Sequence, residues 1–177
     1  MNTCHMLPPD IYNMCKAFAE KVVDTNLDEY ASRKQFDKQK IISDILVGKL
    51  AEWGVYFIYL YEDRWLTPPD MKVYTADKKS YDADLRYGNY KLHIKSQTVE
   101  SVRRYGHSWL FQSNDPLFVH SDEYDIIIGC TVCIYQDKCV RVELEIERTF
   151  NAINFGKPKL TKFYGNKKAF YLKDNLE

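Results

Sequence analysis

Residues 80–97 read SYDADLRYGNYKLHIKSQ. Two runs of alternating apolar and polar residues flank Gly88-Asn89, a pair suited to a two-residue hairpin turn. Such a turn sets the pairing. Tyr87 lies opposite Tyr90, Leu85 opposite Leu92, Asp84 opposite His93, Ala83 opposite Ile94 and Asp82 opposite Lys95. Alternation then places Tyr81, Ala83, Leu85, Leu92 and Ile94 on one apolar face that can pack on a helix. Asp82, Asp84, His93, Lys95 and Gln97 share the other face. Opposed Cβ atoms lie roughly 5 Å apart, so this reading gathers two carboxylates, an imidazole and an ammonium into one patch. The plainer alternative is a solvated face whose cross-strand ion pairs are worth about 0–1 kcal/mol each.

Upstream, residues 38–61 carry the longest helical signal. Ile42, Ile45, Leu46, Leu50, Trp53, Phe57 and Leu60 form an apolar stripe. Asp37 suits the N-cap, and Pro68-Pro69 forbids continuation. Residues 10–24 form a second, shorter helix, with Ile11, Met14, Cys15, Phe18 and Val22 at helical spacing. The polar stretch 27–38 reads as loop or a short exposed helix, and His5 as unstructured. Strands are predicted over 71–75, 80–87, 90–97, 108–112, 124–135 and 140–147, with a short helix over 98–105. This order suggests an α/β fold built on one central mixed β-sheet flanked by helices. The chain reads as a single domain, 1–177, with a core over about 38–135 and a C-terminal extension over about 149–177.

The 177 residues carry 25 Lys+Arg and 25 Asp+Glu, so a uniformly basic nucleic-acid coat is excluded. The extension is different. From Thr149 to Lys173 there is no acid. Lys157, Lys159, Lys162, Lys167, Lys168 and Lys173 alternate with Phe150, Phe155, Phe163, Tyr164, Phe170 and Tyr171. Ammonium groups among aromatic rings can neutralise phosphates while the rings stack on bases. The same lysines would equally protect an exposed sheet edge. No run approaches the roughly 20 apolar residues of a membrane span. The opening MNTCHMLPPD lacks a signal-peptide pattern, so a cytoplasmic location is expected. Five cysteines without a secretion signal argue against a disulfide framework. Cys130-x-x-Cys133 lies in an apolar run and has no partner motif for zinc. Glu143, Glu145 and Glu147 alternate with Leu144 and Ile146, which reads as a strand with an acidic outer face.

The order of a helix with an inward acid, a strand with Asp84, a tight turn, and a strand ending His93-Ile94-Lys95-Ser96 resembles the PD-(D/E)XK nuclease superfamily. The resemblance implies a restriction-endonuclease-like core and Mg²⁺-dependent (Mn²⁺ possible) hydrolysis of phosphodiester bonds. It implies a catalytic set of Asp84, His93, Lys95 and Glu52. Asp84 and Glu52 would hold metal, Lys95 would handle the attacking water, and His93 stands where the family has a second acid. Glu52 lies near the apolar stripe of its helix, where a carboxylate is costly unless paired or metal-bound. Asp44 is the alternative helix acid. A literal Pro69-Asp70 reads more simply as a turn.

The segments Trp109-Leu110-Phe111-Gln112 and Asp115-Pro116-Leu117-Phe118, with the lysine-rich extension, are similar to small phage and cyanobacterial homing endonucleases of that superfamily. This implies a site-specific enzyme on double-stranded DNA, acting as a homo-oligomer (dimer or tetramer) in a bacterial or phage-infected cell. Gln97, Arg103, Arg104, Lys157, Lys159, Lys162, Lys167 and Lys168 are then expected to contact DNA. His107 and His120 read as surface or capping residues. A Holliday-junction resolvase of the same superfamily and a catalytically inactive DNA-binding module are the competing readings.

Overall fold

The computed structural model describes residues 3–32, 35–75 and 83–176. After a short strand at Cys4–Leu7 come three helices: α1 (Pro9–Thr25), α2 (Leu27–Ser32) and α3 (Lys38–Leu60). Proline at the start of α1 loses no helical hydrogen bond. Cys15, Ala19 and Val23, four residues apart, form its buried stripe. Asp37 caps α3 by accepting the Lys40 N–H at 3.0 Å. The helix is buried on more than one side because it lies between α1 and a sheet.

That sheet has five strands in the order β1-β6-β5-β3-β2. Its members are β1 (Cys4–Leu7), β2 (Leu85–Tyr87), β3 (Tyr90–Thr98), β5 (Asp125–Ile134) and β6 (Val140–Thr149). β3 and β5 run parallel, from Lys91↔Asp125 to Thr98↔Val132, and the other pairs are antiparallel. The protein is therefore α/β, with a mixed sheet flanked by helices. The β2–β3 hairpin forms in the expected register, Tyr87↔Tyr90 and Leu85↔Leu92. Gly88 takes the positive φ (56°) of its turn at no steric cost. α4 (Val99–Tyr105) is capped by Thr98 and stops at Gly106, and α5 (Leu117–His120) is a single turn.

One face of the sheet, including Leu92, Ile94, Ile126, Ile128 and Val142, joins Leu46, Leu50, Val55 and Ile58 of α3 in the main core. The other face carries Ile127 and Ile146 into a second core with Trp109, Phe111, Phe150 and Phe170. Above that face lies an antiparallel sheet, β4 (Ser108–Gln112), β8 (Lys167–Tyr171) and β7 (Phe155–Gly156), in the order β4-β8-β7. Trp109 and Phe170 stack at 5.0 Å, and the indole N–H donates to the Cys130 carbonyl at 3.1 Å.

Several expectations change. There are two sheets, because the C-terminal residues pair with β4 and bury their own aromatics. Cys4–Leu7 form an edge strand on β6, and His5 stacks on Phe57 at 5.0 Å. Residues 71–75 form no strand, since Asp70 turns the chain by accepting the Lys72 N–H at 2.8 Å. Of the predicted strand 80–87, residues 80–82 lie outside the described residues and pairing begins at Leu85. The uniform acidic face of β6 is broken by a bulge. Gly129 pairs Ile146 and Cys130 pairs Leu144, so Glu145 is the extra residue. Glu147 then turns toward Arg64 beside α3 (3.8 Å), and Glu145 toward His107 under the second sheet (3.4 Å). All five cysteines are free thiols.

Candidate functional site

β2 ends the sheet, and its ladder with β3 begins at Leu85. One residue earlier, the Asp84 N–H donates to the Leu92 carbonyl at 3.0 Å, and Asp84 Oδ2 accepts the Ile94 N–H at 2.7 Å. A side-chain carboxylate thus replaces the backbone carbonyl that a longer β2 would have supplied. Asp84 stands at the open edge of β3, next to the His93-Ile94-Lys95 triplet.

On the α3 side of this edge is Glu52, 7 % exposed and 2.6 Å from Lys49 Nζ. Burial, then the charges of Asp84 and Asp70, raise its carboxyl to about 8 against the opposing pull of Lys49. Asp70 itself is lowered. Burial works the other way, but the Lys72 N–H, the Tyr74 hydroxyl and the charges of Lys49 and Lys72 outweigh it. Asp84, Asp70 and Lys49 line a cavity of about 490 Å³ with Phe18, Val22 and Tyr30 of α1 and α2. Asp44 points to solvent and pairs with Lys40 at 3.0 Å, so Glu52 is the inward acid of α3.

His93 and Lys95 turn to the opposite face, because Leu92 and Ile94 fill the main core. His93 Nε2 lies 2.8 Å from Asp125 Oδ1. Asp125 is 2 % exposed, and its other oxygen accepts the Asp122 N–H at 2.8 Å. Lys91 spans Asp122 (2.9 Å) and Asp125 (3.5 Å). A carboxylate only accepts, so hydrogen-bond chemistry assigns the proton to Nε2 and leaves Nδ1 as the acceptor in a neutral ring. Lys95 Nζ sits 4.3 Å from the Phe111 ring centroid.

The single polar face expected for Asp84, His93, Lys95 and Gln97 is therefore divided. Asp84 precedes the ladder and is not bound by its alternation. It turns in to cap Ile94 and acts on Glu52, while His93 and Lys95 follow the pleat to the other side. Asp82, expected opposite Lys95, lies outside the described residues. Gln97 is buried. Its amide donates to the Gly106 carbonyl (3.0 Å) and Ser101 (3.2 Å) and accepts the Ser108 N–H (2.9 Å), so it braces α4 and is closed to DNA.

The basic residues separate into groups. Arg103 and Arg104 are exposed in the last turn of α4, and Lys159 donates to the Tyr105 carbonyl at that same end. Lys162 and Lys167 lie 5.0 and 5.3 Å from the Phe163 ring, and Lys168 lies 3.8 Å from Phe118. Lys157 is exposed. His107 is half-buried edge-on to Trp109, and His120 is exposed at the end of α5.

Sequence reasoning missed Asp125, Asp122 and Lys49. Lys49 was accessible, three residues before Glu52 on one helix. Asp125 was not, because parallel register across a connection of more than 25 residues leaves no local pattern.

Among the described residues no group of three His, Cys, Asp or Glu side chains closes around one point, and no helix is long and apolar enough to cross a membrane. Comparison with family models, with curated proteins and with solved structures gives no match.

Proposed function

We propose that this protein is a metal-dependent endonuclease on double-stranded DNA with a restriction-endonuclease-like core, working at the open edge of β3. The observation that carries this reading is the meeting of Glu52 and Asp84. A buried helix carboxyl and a strand-edge carboxylate lie close enough that the second helps raise the first to about 8. Two such groups are costly together unless a proton or a cation offsets their charge; Lys49 offsets part of it from the Glu52 side, and a metal ion could offset the rest. The donors fit a hard divalent ion such as Mg²⁺, which prefers oxygen ligands and takes its remaining positions from water and phosphate. That ion would supply charge neutralisation and a more acidic bound water.

The chain's own groups do the rest. Asp84 is held rigidly by the Ile94 N–H, and Glu52 by Lys49. Lys95, on its aromatic seat, is available to hold a phosphate oxygen. His93, oriented by Asp125, can accept a proton at Nδ1. We place the enzyme with site-specific phage or mobile-element endonucleases that act as homo-oligomers, because two strands require two centres.

Incubation of supercoiled plasmid and phage genomic DNA with and without Mg²⁺ tests the proposal. Nicking or linearisation that requires the ion and disappears in Asp84→Asn is expected. A folded parent protein that leaves every substrate intact with Mg²⁺ and Mn²⁺ overturns it. One observation favours a second reading, a DNA-binding module without cleavage: Glu52 and Lys95 lie on opposite sides of the sheet. Metal-independent duplex binding without products would select it.

A further inference from the structure

The cavity beside Asp84 offers more than a metal ion uses. At about 490 Å³ it falls within the roughly 300–1,000 Å³ of pockets that enclose a small organic ligand. A hydrated cation takes oxygen ligands and gains nothing from Phe18, Val22, Tyr30 and Ile45, which form the helix side of the lining. All four are half-buried. Lys49 Nζ lies 5.2 Å from the Phe18 ring centroid, so that ring adjoins the Lys49–Glu52 pair. Much of the remaining lining comes from residues 70–74, which hydrogen bonds hold in one shape. Asp70 accepts the Lys72 N–H and the Tyr74 hydroxyl, each at 2.8 Å, and the Asn26 amide donates to the Tyr74 carbonyl at 3.0 Å. Asn26 is 8 % exposed. Its nitrogen serves the Val22 and Tyr74 carbonyls, but its oxygen accepts no hydrogen bond among the described residues. The lining is therefore rich in acceptors: the Asn26 oxygen, the Asp70 carboxylate, and Asp84, whose bond to Ile94 uses only Oδ2. Of its cations, Lys49 is committed to Glu52, and Lys72 lies 5.3 Å from the Tyr74 ring centroid. Rings and aliphatic groups among fixed acceptors suit a flat ring with N–H donors on its edge.

We propose that this cavity takes the base of one unpaired nucleotide of a DNA strand, a base that carries an exocyclic amine. This rests on the DNA reading above and narrows its substrate to duplex interrupted by an unpaired nucleotide. Asp84 belongs both to the cavity and to the β3 edge, so a base held here lies beside the place where the strand would be cut. An unpaired base costs least to extrude. Phe18, Tyr30 and Tyr74 supply aromatic surface for stacking. The acceptors favour adenine, cytosine and guanine, each of which presents an amine, over thymine, which presents a carbonyl oxygen in its place. Occupation of the cavity needs neither metal nor cleavage.

Binding of fluorescent duplexes to the full chain in EDTA tests this. One duplex is fully paired, and three carry a bulged adenine, a bulged thymine or a bulged abasic residue at the same position. The adenine bulge is expected to bind about fivefold or more tighter than the abasic bulge, with thymine in between. Val22→Trp, which fills the cavity, should erase that preference and leave affinity for the paired duplex at the parent value. Phe18→Ala should reduce the preference several-fold and keeps the test decisive should Val22→Trp unfold. Asp70→Asn should shrink the advantage of adenine over thymine. Lys16→Gln, on the exposed side of α1, should match the parent throughout. The proposal is overturned if the parent binds the three bulges equally, or if folded Val22→Trp and Phe18→Ala keep its preference. It is also overturned if the parent binds free dAMP but no duplex, or neither. A cavity-dependent base preference in a parent that does not cleave with Mg²⁺ upholds the pocket and removes the nuclease reading. Cleavage by a parent without any base preference does the reverse.

Discussion

Asp84 Oδ2 accepts the Ile94 N–H at 2.7 Å, so one carboxylate both closes the ladder of β3 and faces the buried acid of α3. The two duties separate by substitution. Asp84→Ala leaves a half-buried N–H without a partner, which costs about 1–3 kcal/mol. Asp84→Asn keeps an acceptor oxygen and should unfold in urea within about 0.5 kcal/mol of the parent. Cleavage should fall at least a hundredfold in both. An Asn variant that cuts at the parent rate removes the carboxylate from the mechanism.

Glu52 gives the protein a pH signature. Its carboxyl titrates at about 8 in the fold and at 4.5 when unperturbed. The folded state therefore binds more protons across that window, and stability is fully present below 4.5 and declines as pH rises toward 8. Urea unfolding of Glu52→Gln between pH 5 and 8.5 should show a flatter dependence than the parent.

The same group predicts a metal linkage. A divalent ion competes with the Glu52 proton, so added Mg²⁺ should raise the melting temperature more at pH 8 than at pH 5.5. Equal shifts at both pH values, or none in a parent that Glu52→Gln matches, would sink the assignment of this carboxylate to metal.

Asp125 holds His93 Nε2 and the Asp122 N–H from a nearly sealed position. Asp125→Ala leaves both without their acceptor and should cost about 1–3 kcal/mol by chemical denaturation. The His93 ring resonances in a nitrogen-correlated NMR spectrum should lose their single-tautomer pattern. An unchanged ring spectrum shows that Asp125 does not orient the histidine.

At Gly54 α3 packs tightly against β6. A Cβ there would lie 2.4–2.6 Å from the Val142 side chain. Gly54→Ala should lose about 1–3 kcal/mol by overpacking despite alanine's better helix propensity. Gly54→Ala/Val142→Ala should recover part of that loss, and purely additive effects contradict the contact.

The candidate site was half legible. Asp84, His93 and Lys95 stand out because a glycine turn and alternation identify a hairpin, and the hairpin register agrees with them. Glu52 stands out because an acid near an apolar stripe is costly. Their mutual placement was not legible. It turned on whether pairing extends to Asp84, and a ladder that begins one residue later frees that side chain from the pleat. The partners of His93 and Lys95 were hidden for another reason. Asp125 and Phe111 are distant in sequence and meet them only through sheet topology.

By itself the sequence determined most of the local elements: the Asp37-capped helix, the Gly88 turn, a short helix close to 98–105, the period-two strands other than 71–75, and the acid-free basic segment. Each depends on interactions within a few residues, which composition and spacing record. The tertiary structure alone decided that the C-terminal segment builds a second sheet with β4, that a bulge at Glu145 sends the acids of β6 to opposite faces, and that Lys95 rests on Phe111. Those outcomes depend on which distant strands pair and in what register. That choice is set by the joint burial of two aromatic and aliphatic cores, which no window of sequence contains.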